Sequence, residues 1–385
     1  MPKPSVGILA LISKYGGGIY QYTLSLLNAL NKYCNEYRFV LLRNSEFPNN
    51  LLKETIEINA KVTKLPLKLR RFFYANFTIK FGDLLGEYNT YVNKRLDLLI
   101  APYMSLIPFY MGKPYIVVIH DLQYKYFPNY FTLKERFKRS YVFKRTARFS
   151  KIVVCESEYV KKDIIKYFNV PENKIRIIQS PPPPHIFESI TNKEKFSTIR
   201  RKYRLPDRFL FYPAQFWHHK NHIGLIKAIF TIRHKYRSEV NLVLSGSKQK
   251  SFENIMNEIE KMNMKKFVRY LGYVADEDMP YLYKLSTALV MPTLFESISM
   301  PIWEAFYLGC PVVSSNVCAL PQQVGKAGLL FDPYNTEDMA EKIYKIWVDN
   351  DLRKLLKEKG RKKIDDLTYE NYSQQWKHLI EDALK

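Results

Sequence analysis

Cysteine is scarce: four residues, Cys34, Cys155, Cys310 and Cys318, are spread through 385 positions and never form a CxxC pair. That spacing supports neither a zinc ribbon nor a disulfide framework, and a reducing cytoplasm is the simpler setting. Long apolar runs are missing as well. The longest, Leu98 to Gly112, is interrupted by Pro102 and Pro108 and falls short of the ~20 residues a spanning helix needs. The opening run Val6 to Ile12 is brief and lacks a small-residue cleavage site, so it reads as a buried first strand and not as a signal peptide. Neither GxxxxGK[ST] nor GxGxxG occurs, which removes the P-loop and dinucleotide fingerprints. Acidic residues are short too: 37 Asp+Glu stand against 60 Lys+Arg, a net +23, and such an excess points to an anionic partner.

What is present is ordinary globular material, with 46% hydrophobic and 25% charged residues; disorder and collagen are excluded, and the length suits two or three domains. The charge is uneven. Residues 1 to 200 carry 32 basic and 15 acidic side chains, residues 251 to 350 only 8 and 13. The first half is therefore the part expected to meet an anionic surface.

Short β-branched runs alternate with helical patterns along the whole chain, as βα units on a parallel sheet do. Six runs are expected as strands in the first half: Val6 to Leu11, Arg38 to Leu42, Leu96 to Ala101, Tyr115 to His120, Ile152 to Cys155 and Ile175 to Gln179. Six more follow: Phe209 to Pro213, Asn241 to Ser245, Val268 to Tyr273, Ala288 to Pro292, Pro311 to Ser314 and Gly328 to Phe331. The run Pro181 to Pro184 between the series can enter neither a helix interior nor a central strand. The reading is two doubly wound α/β domains, 1–185 and 186–365, with a C-terminal helix over 366–385 that packs back toward the first. Ligands on such sheets bind beyond the carboxyl ends of the strands, so the cleft between two facing sheets is the default site.

Several residues stand at those ends. Gly16-Gly17-Gly18 follows the first strand and opens a helical pattern, where glycines admit a phosphate or sugar to the backbone; a plain turn is the equal alternative. His120-Asp121 closes the fourth run of the first series, a place for a functional histidine or a structural one. Asp276-Glu277-Asp278 looks like a metal clamp but opens a helical pattern, so Asp276 reads as an N-cap and no metal site is expected. His218, His219 and His222 lack the cysteine or carboxylate support of a metal site; Lys220 among them suits a phosphate better. Most informative are Glu296 and Glu304, eight residues apart around Ser297-Ile298-Ser299-Met300. Carboxylates accept from sugar hydroxyls, and amides at a helix start hold an anion; two solvated glutamates are the plainer alternative.

Here the sequence resembles the retaining glycosyltransferases of the GT-B superfamily, in particular the large family four, and does so over nearly its whole length. The resemblance runs through Gly16 to Gly18, Val118-Ile119-His120-Asp121, Cys155 to Asp163, Val170 to Ile175, Lys220-Asn221-His222, Leu271 to Val274, the E-x7-E spacing and Ala327 to Pro333. It implies a GT-B fold, two Rossmann-like domains facing each other across a cleft. It implies that Glu304 binds ribose hydroxyls, that Glu296 contacts the transferred sugar and that Lys220 neutralises the donor diphosphate. His120 would stand near sugar and acceptor, Gly17 and Gly18 against the donor, and the amides of Ser297, Ile298, Ser299 and Met300 against the diphosphate. Transfer with retention and without cofactor or metal is the expectation. Three departures stand out. Ala214 occupies the place of a usual Arg, with Gln215, His218 or His219 as substitutes. Ser297 and Ser299 replace common glycines, and Gln322 or Gln323 replaces a frequent carboxylate. The stretch Tyr212 to Asn221 looks most like mannosyltransferases, which favours GDP-mannose over a UDP-sugar.

Residues 58 to 82 hold Lys61, Lys64, Lys68, Arg70, Arg71 and Lys80 without one acid, among Leu65, Leu67, Leu69, Phe72, Phe73, Tyr74 and Phe77. Lys134 to Lys151 holds eight basic residues and only Glu135, with Phe137, Tyr141 and Phe143. Basic residues mixed with large apolar ones suit anionic lipid, where each cation adds about 1 kcal/mol. The expectation is an enzyme on the inner face of the plasma membrane, using a glycan or lipid-linked acceptor in bacterial cell-surface polysaccharide synthesis. Nucleic acid is not expected, because no helix-turn-helix, zinc-finger or RNP-like motif occurs. A GT-B epimerase or phosphorylase is the enzymatic alternative.

Overall fold

The structure, a computed structural model, describes residues 2–13, 16–57, 92, 94–187 and 193–385. The basic stretch 58 to 82 lies outside the described residues, apart from which the chain falls into two compact units, Met1–Pro181 with Leu367–Lys385, and Pro182–Asp366. The division lies inside the tetraproline run, slightly ahead of the boundary at 185 read from the sequence. The helix Tyr369–Leu384 belongs to the first unit, burying Tyr372, Trp376 and Ile380 there.

Among the described residues the first unit is a parallel sheet of seven strands: β1 (Ser5–Ala10), β2 (Arg38–Arg43), β3 (Glu54–Glu57), β4 (Leu98–Ala101), β5 (Tyr115–Val118), β6 (Ile152–Cys155) and β7 (Ile175–Ile177). Their order is β3-β2-β1-β4-β5-β6-β7. The central strands β1, β4, β5 and β6 are buried at every position, as a sheet covered on both faces demands. The seventh strand, β3, was not among the six expected. Its sequence ETIE carries two acids, and it is held at the edge by charge: Arg38 clasps Glu54, and Arg43 Nη2 reaches Glu57 Oε2 at 3.0 Å. Short, charged edge strands also discourage pairing with foreign chains.

The second unit is a six-stranded parallel sheet, β8 (Leu210–Pro213), β9 (Leu242–Ser245), β10 (Val268–Tyr270), β11 (Ala288–Met291), β12 (Val312–Ser315) and β13 (Gly328–Phe331), in the order β10-β9-β8-β11-β12-β13. In each sheet the order reverses beside the first strand of the series, between β1 and β4 and between β8 and β11. Those are the switch points where connections leave in opposite directions and a crevice opens. The glycine loop follows β1, the Lys220 loop follows β8 and the Glu296 loop follows β11.

Candidate functional site

In the second unit the chain leaves β8 through Ala214, crosses a single turn, His218–Lys220, and enters the helix His222–Tyr236. Asn221 makes this possible. It adopts a left-handed conformation at φ 55°, and its Oδ1 accepts from Gly224 N at 3.2 Å as an N-cap. Its Nδ2 donates to the carbonyls of Pro292 (3.0 Å) and Pro333 (3.2 Å), tying the loop to those after β11 and β13. The carbonyl of His219 accepts from Leu294 N at 2.7 Å, and the Tyr212 hydroxyl donates to the Lys220 carbonyl at 2.8 Å. Lys220 is therefore mounted on a clamped backbone. Its Nζ lies 2.5 Å from Glu296 Oε2, with both side chains about four-fifths buried.

Around the place of the missing Arg stand Ala214 and the three residues read as its substitutes, Gln215, His218 and His219. Ala214 is buried and its N–H donates to Ser245 O at 2.8 Å. Gln215 Oε1 accepts from the Trp217 indole at 2.9 Å. Burial, helped by Lys220, pushes His219 down to about 3, so this ring is neutral; His218 is exposed. His222 is buried against Phe216, rings stacked at 4.4 Å, and burial lowers it to about 3 as well.

Glu304 sits on the helix Met300–Leu308, inside the unit. Tyr283, on the neighbouring helix Met279–Leu285, donates to Glu304 Oε2 at 2.5 Å. Burial pushes Glu304 up to about 7, outweighing the opposing hydrogen bond. Its carboxyl is thus poised near neutrality, one hydrogen bond satisfied and further acceptor capacity in reserve.

Two expectations about this region need correction. Gln323, buried, clamps Ser299 from both sides: Ser299 N donates to its Oε1 at 2.8 Å, and its Nε2 donates to Ser299 O at 2.7 Å. The Ser299 amide is therefore spent inside the protein and not offered to an anion, and Gln323 shapes the loop from behind. Asp276 is not the N-cap of the helix Met279–Leu285. That position belongs to Asp278, whose carboxylate takes Lys202 at 2.5 Å and Tyr203 at 2.8 Å. Among the described residues no group of His, Cys, Asp and Glu has the arrangement of a metal site.

The first unit holds the remaining candidates. Gly17 caps the helix Gly18–Tyr33 at φ 62°, ψ −134°, a conformation that favours glycine, with no side-chain cap covering the amides. His120 follows β5, where Nδ1 lies 3.0 Å from Glu156 Oε2 and Nε2 lies 2.8 Å from Pro102 O; the Tyr22 ring meets it edge-on at 4.7 Å. Burial opposes charge on the ring, but Glu156 and the Pro102 carbonyl outweigh it and hold the pKa above the ordinary histidine value. His120 and Asp121 line a cavity of about 410 Å³ together with Ile19, Tyr103, Lys138 and Arg139. Glu156 and Tyr283 escaped sequence reasoning as site residues, and Gln323 entered it only as one of two stand-ins for a carboxylate. Glu156 left a trace, as an acid directly after a strand.

The segment Lys134 to Lys151 is largely the helix Leu133–Phe149, started by a capping box between Thr132 and Glu135. Leu133 and Phe137, one turn apart, are 78% and 77% exposed. Among the described residues no helix is long and apolar enough to cross a membrane.

Comparison with known proteins gives two family matches, one on each half: "Glycosyltransferase Family 4" over residues 16–181 and "Glycosyl transferases group 1" over 195–363. O-antigen chain mannosyltransferase B of Escherichia coli is 29% identical over 239 residues, a stretch that spans 59% of this chain and 59% of the relative. O-antigen chain mannosyltransferase RfbU of Salmonella typhimurium is 23% identical over 336 residues, 84% of this chain and 86% of the relative. Among solved structures, sucrose-phosphate synthase from Thermosynechococcus elongatus superposes with a TM-score of 0.77 at 18% identity, over 98% of both chains. Anabaena HepE in complex with UDP and glucose gives 0.77 at 16%, over 98% of this chain and 99% of that one.

Proposed function

We propose, for a chain that belongs to the group 1 glycosyltransferases of GT-B fold, the retaining, metal-independent transfer of a hexose from a nucleotide-sugar to a glycan or lipid-linked acceptor. Mannose from GDP-mannose is the favoured donor, supported by the relatives named O-antigen mannosyltransferases. A UDP-sugar is the second reading, supported by the neighbour solved with UDP and glucose.

The observation that carries the proposal is the polar set of the second unit. One cation, Lys220, is mounted on a clamped turn against Glu296, and one buried carboxyl, Glu304, has a pKa close to 7. A nucleotide-sugar needs a positive charge for its diphosphate and acceptors for its ribose and sugar hydroxyls. Lys220 is to take the diphosphate as the glycosidic bond breaks, with Glu296 turning to the sugar and Glu304 to the ribose. The acceptor belongs to the first unit, at the His120 cavity. Its helix Leu133–Phe149, with two exposed apolar side chains among Lys134, Arg136 and Lys138, favours work at an anionic membrane face, hence the cytoplasmic side of the plasma membrane.

A thermal-shift and hydrolysis screen against GDP-, UDP- and ADP-sugars tests this reading, with Glu304→Ala as control. The expected result is stabilisation by one nucleotide class, lost in the control. If no nucleotide-sugar stabilises the wild type, or the control responds equally, the site assignment fails. Turnover of a nucleotide-sugar into its epimer without acceptor would replace transfer by epimerisation.

A further inference from the structure

The two ring nitrogens of His120 limit what this residue can do in its cavity. A carbonyl oxygen only accepts, so the 2.8 Å contact with Pro102 requires a proton on Nε2. The 3.0 Å contact with Glu156 Oε2 then occupies Nδ1. If Glu156 is ionised, both nitrogens donate and the ring is an imidazolium. If the shared proton sits on Glu156, Nδ1 accepts it. In neither arrangement does a ring lone pair face the cavity.

Glu156 follows β6 directly, and its side chain is 4% exposed. Its Oε1 is buried without a hydrogen-bond partner, so His120 is the one hydrogen-bond partner of this carboxylate among the described residues. Burying a carboxylate is costly unless it is paired, which makes the ring and the glutamate a unit. The other groups around the ring do not compete for this role. Asp121 adds negative charge from the same strand end. Tyr22, from the helix Gly18–Tyr33, and Tyr372 behind it, from the helix Tyr369–Leu384, are held protonated by burial. The cations Lys138 and Arg139 line the cavity from the helix Leu133–Phe149.

We propose that Glu156 is a positioning residue that occupies Nδ1 of His120 and holds the ring as an imidazolium, so that His120 meets the acceptor as an oriented cation and not as the base that takes its proton. The part about the acceptor rests on the function proposed above; the state of the ring does not. The decisive measurement is long-range ¹H–¹⁵N NMR of the full chain labelled at histidine, with His120→Gln identifying the signal. At pH 7 both ring nitrogens of wild-type His120 carry protons. In Glu156→Gln the ring's titration midpoint falls by about one to three pH units, the usual effect of losing an adjacent opposite charge. The alkaline limb of kcat/KM moves down by the same amount, activity at pH 6 returns close to wild type, and donor KM is unchanged. A wild-type ring with one bare nitrogen at pH 7, or an unmoved limb in Glu156→Gln, overturns the proposal. If the variant does not fold, the wild-type ¹⁵N pattern alone decides. A doubly protonated ring in a chain without transferase activity would sink the acceptor reading and leave the pair standing.

Discussion

Replacing Glu304 by Gln should stabilise the free protein and blind it to its donor, two effects of opposite sign from one atom pair. Burial raises the Glu304 carboxyl from 4.5 to about 7, so the folded chain keeps a proton that the unfolded chain releases. Folding stability is therefore fully present below pH 4.5 and is lost as pH rises toward 7. At 1.36 kcal/mol per unit the loss amounts to about 3 kcal/mol above pH 7. Gln cannot ionise, yet its Oε1 still accepts from the Tyr283 hydroxyl, so the variant escapes the penalty. Scanning calorimetry at pH 8 should show the second unit melting about 6 to 12 °C higher than wild type, at ~2 to 4 °C per kcal/mol for a unit of this size, with the difference closing as pH falls to 4.5 and below. Ligand at a hundred times its Kd adds about 2.7 kcal/mol to wild type. The amide forfeits a charged acceptor worth about 1.5 to 3 kcal/mol per hydroxyl, which removes most of that gain. A variant no more stable than wild type at pH 8, and equally responsive to the donor, would refute both the buried acid and its role.

Gln323→Ala leaves the Ser299 N–H and C=O without their buried partners, at a cost of about 2 to 4 kcal/mol. It should lower the melting temperature and raise donor KM more than it lowers kcat. Leu133→Ser with Phe137→Ser removes exposed side chains. Melting should not change, whereas flotation with anionic vesicles at low salt should weaken at least tenfold if even one side chain inserts, since burying it is worth about 1.5 to 3 kcal/mol; unchanged flotation rejects this docking face. His219 and His222 act on the acid side. Burial holds both near 3 against 6.5 when unfolded, so the stability they permit is complete above pH 6.5 and drains away as pH falls. His222→Phe should flatten that acid limb in a melting series from pH 7 to 4.

The strand ladder was legible because each buried strand of a parallel sheet is a continuous apolar run, and twelve such runs could be found without knowing what they pack against. β3 was invisible for the same reason. Its stability comes from Arg38 and Arg43 on the next strand, and pairing across strands leaves no local pattern. The site divides along a similar line. Glu296 and Glu304 share one loop and helix, so their spacing carries information. Glu156 meets His120 from 36 positions away and Gln323 meets Ser299 from 24, and nothing in either neighbourhood announces the contact. A residue type can also mislead. Gln322 or Gln323 reads in the sequence as the replacement of a frequent carboxylate, whereas an amide, unlike a carboxylate, can donate to one backbone group while accepting from another. That dual capacity is what the clamp on Ser299 uses, and Glu at this position would lose the donating half. The glutamine thus fixes, through its side chain, the backbone that precedes the Glu304 helix.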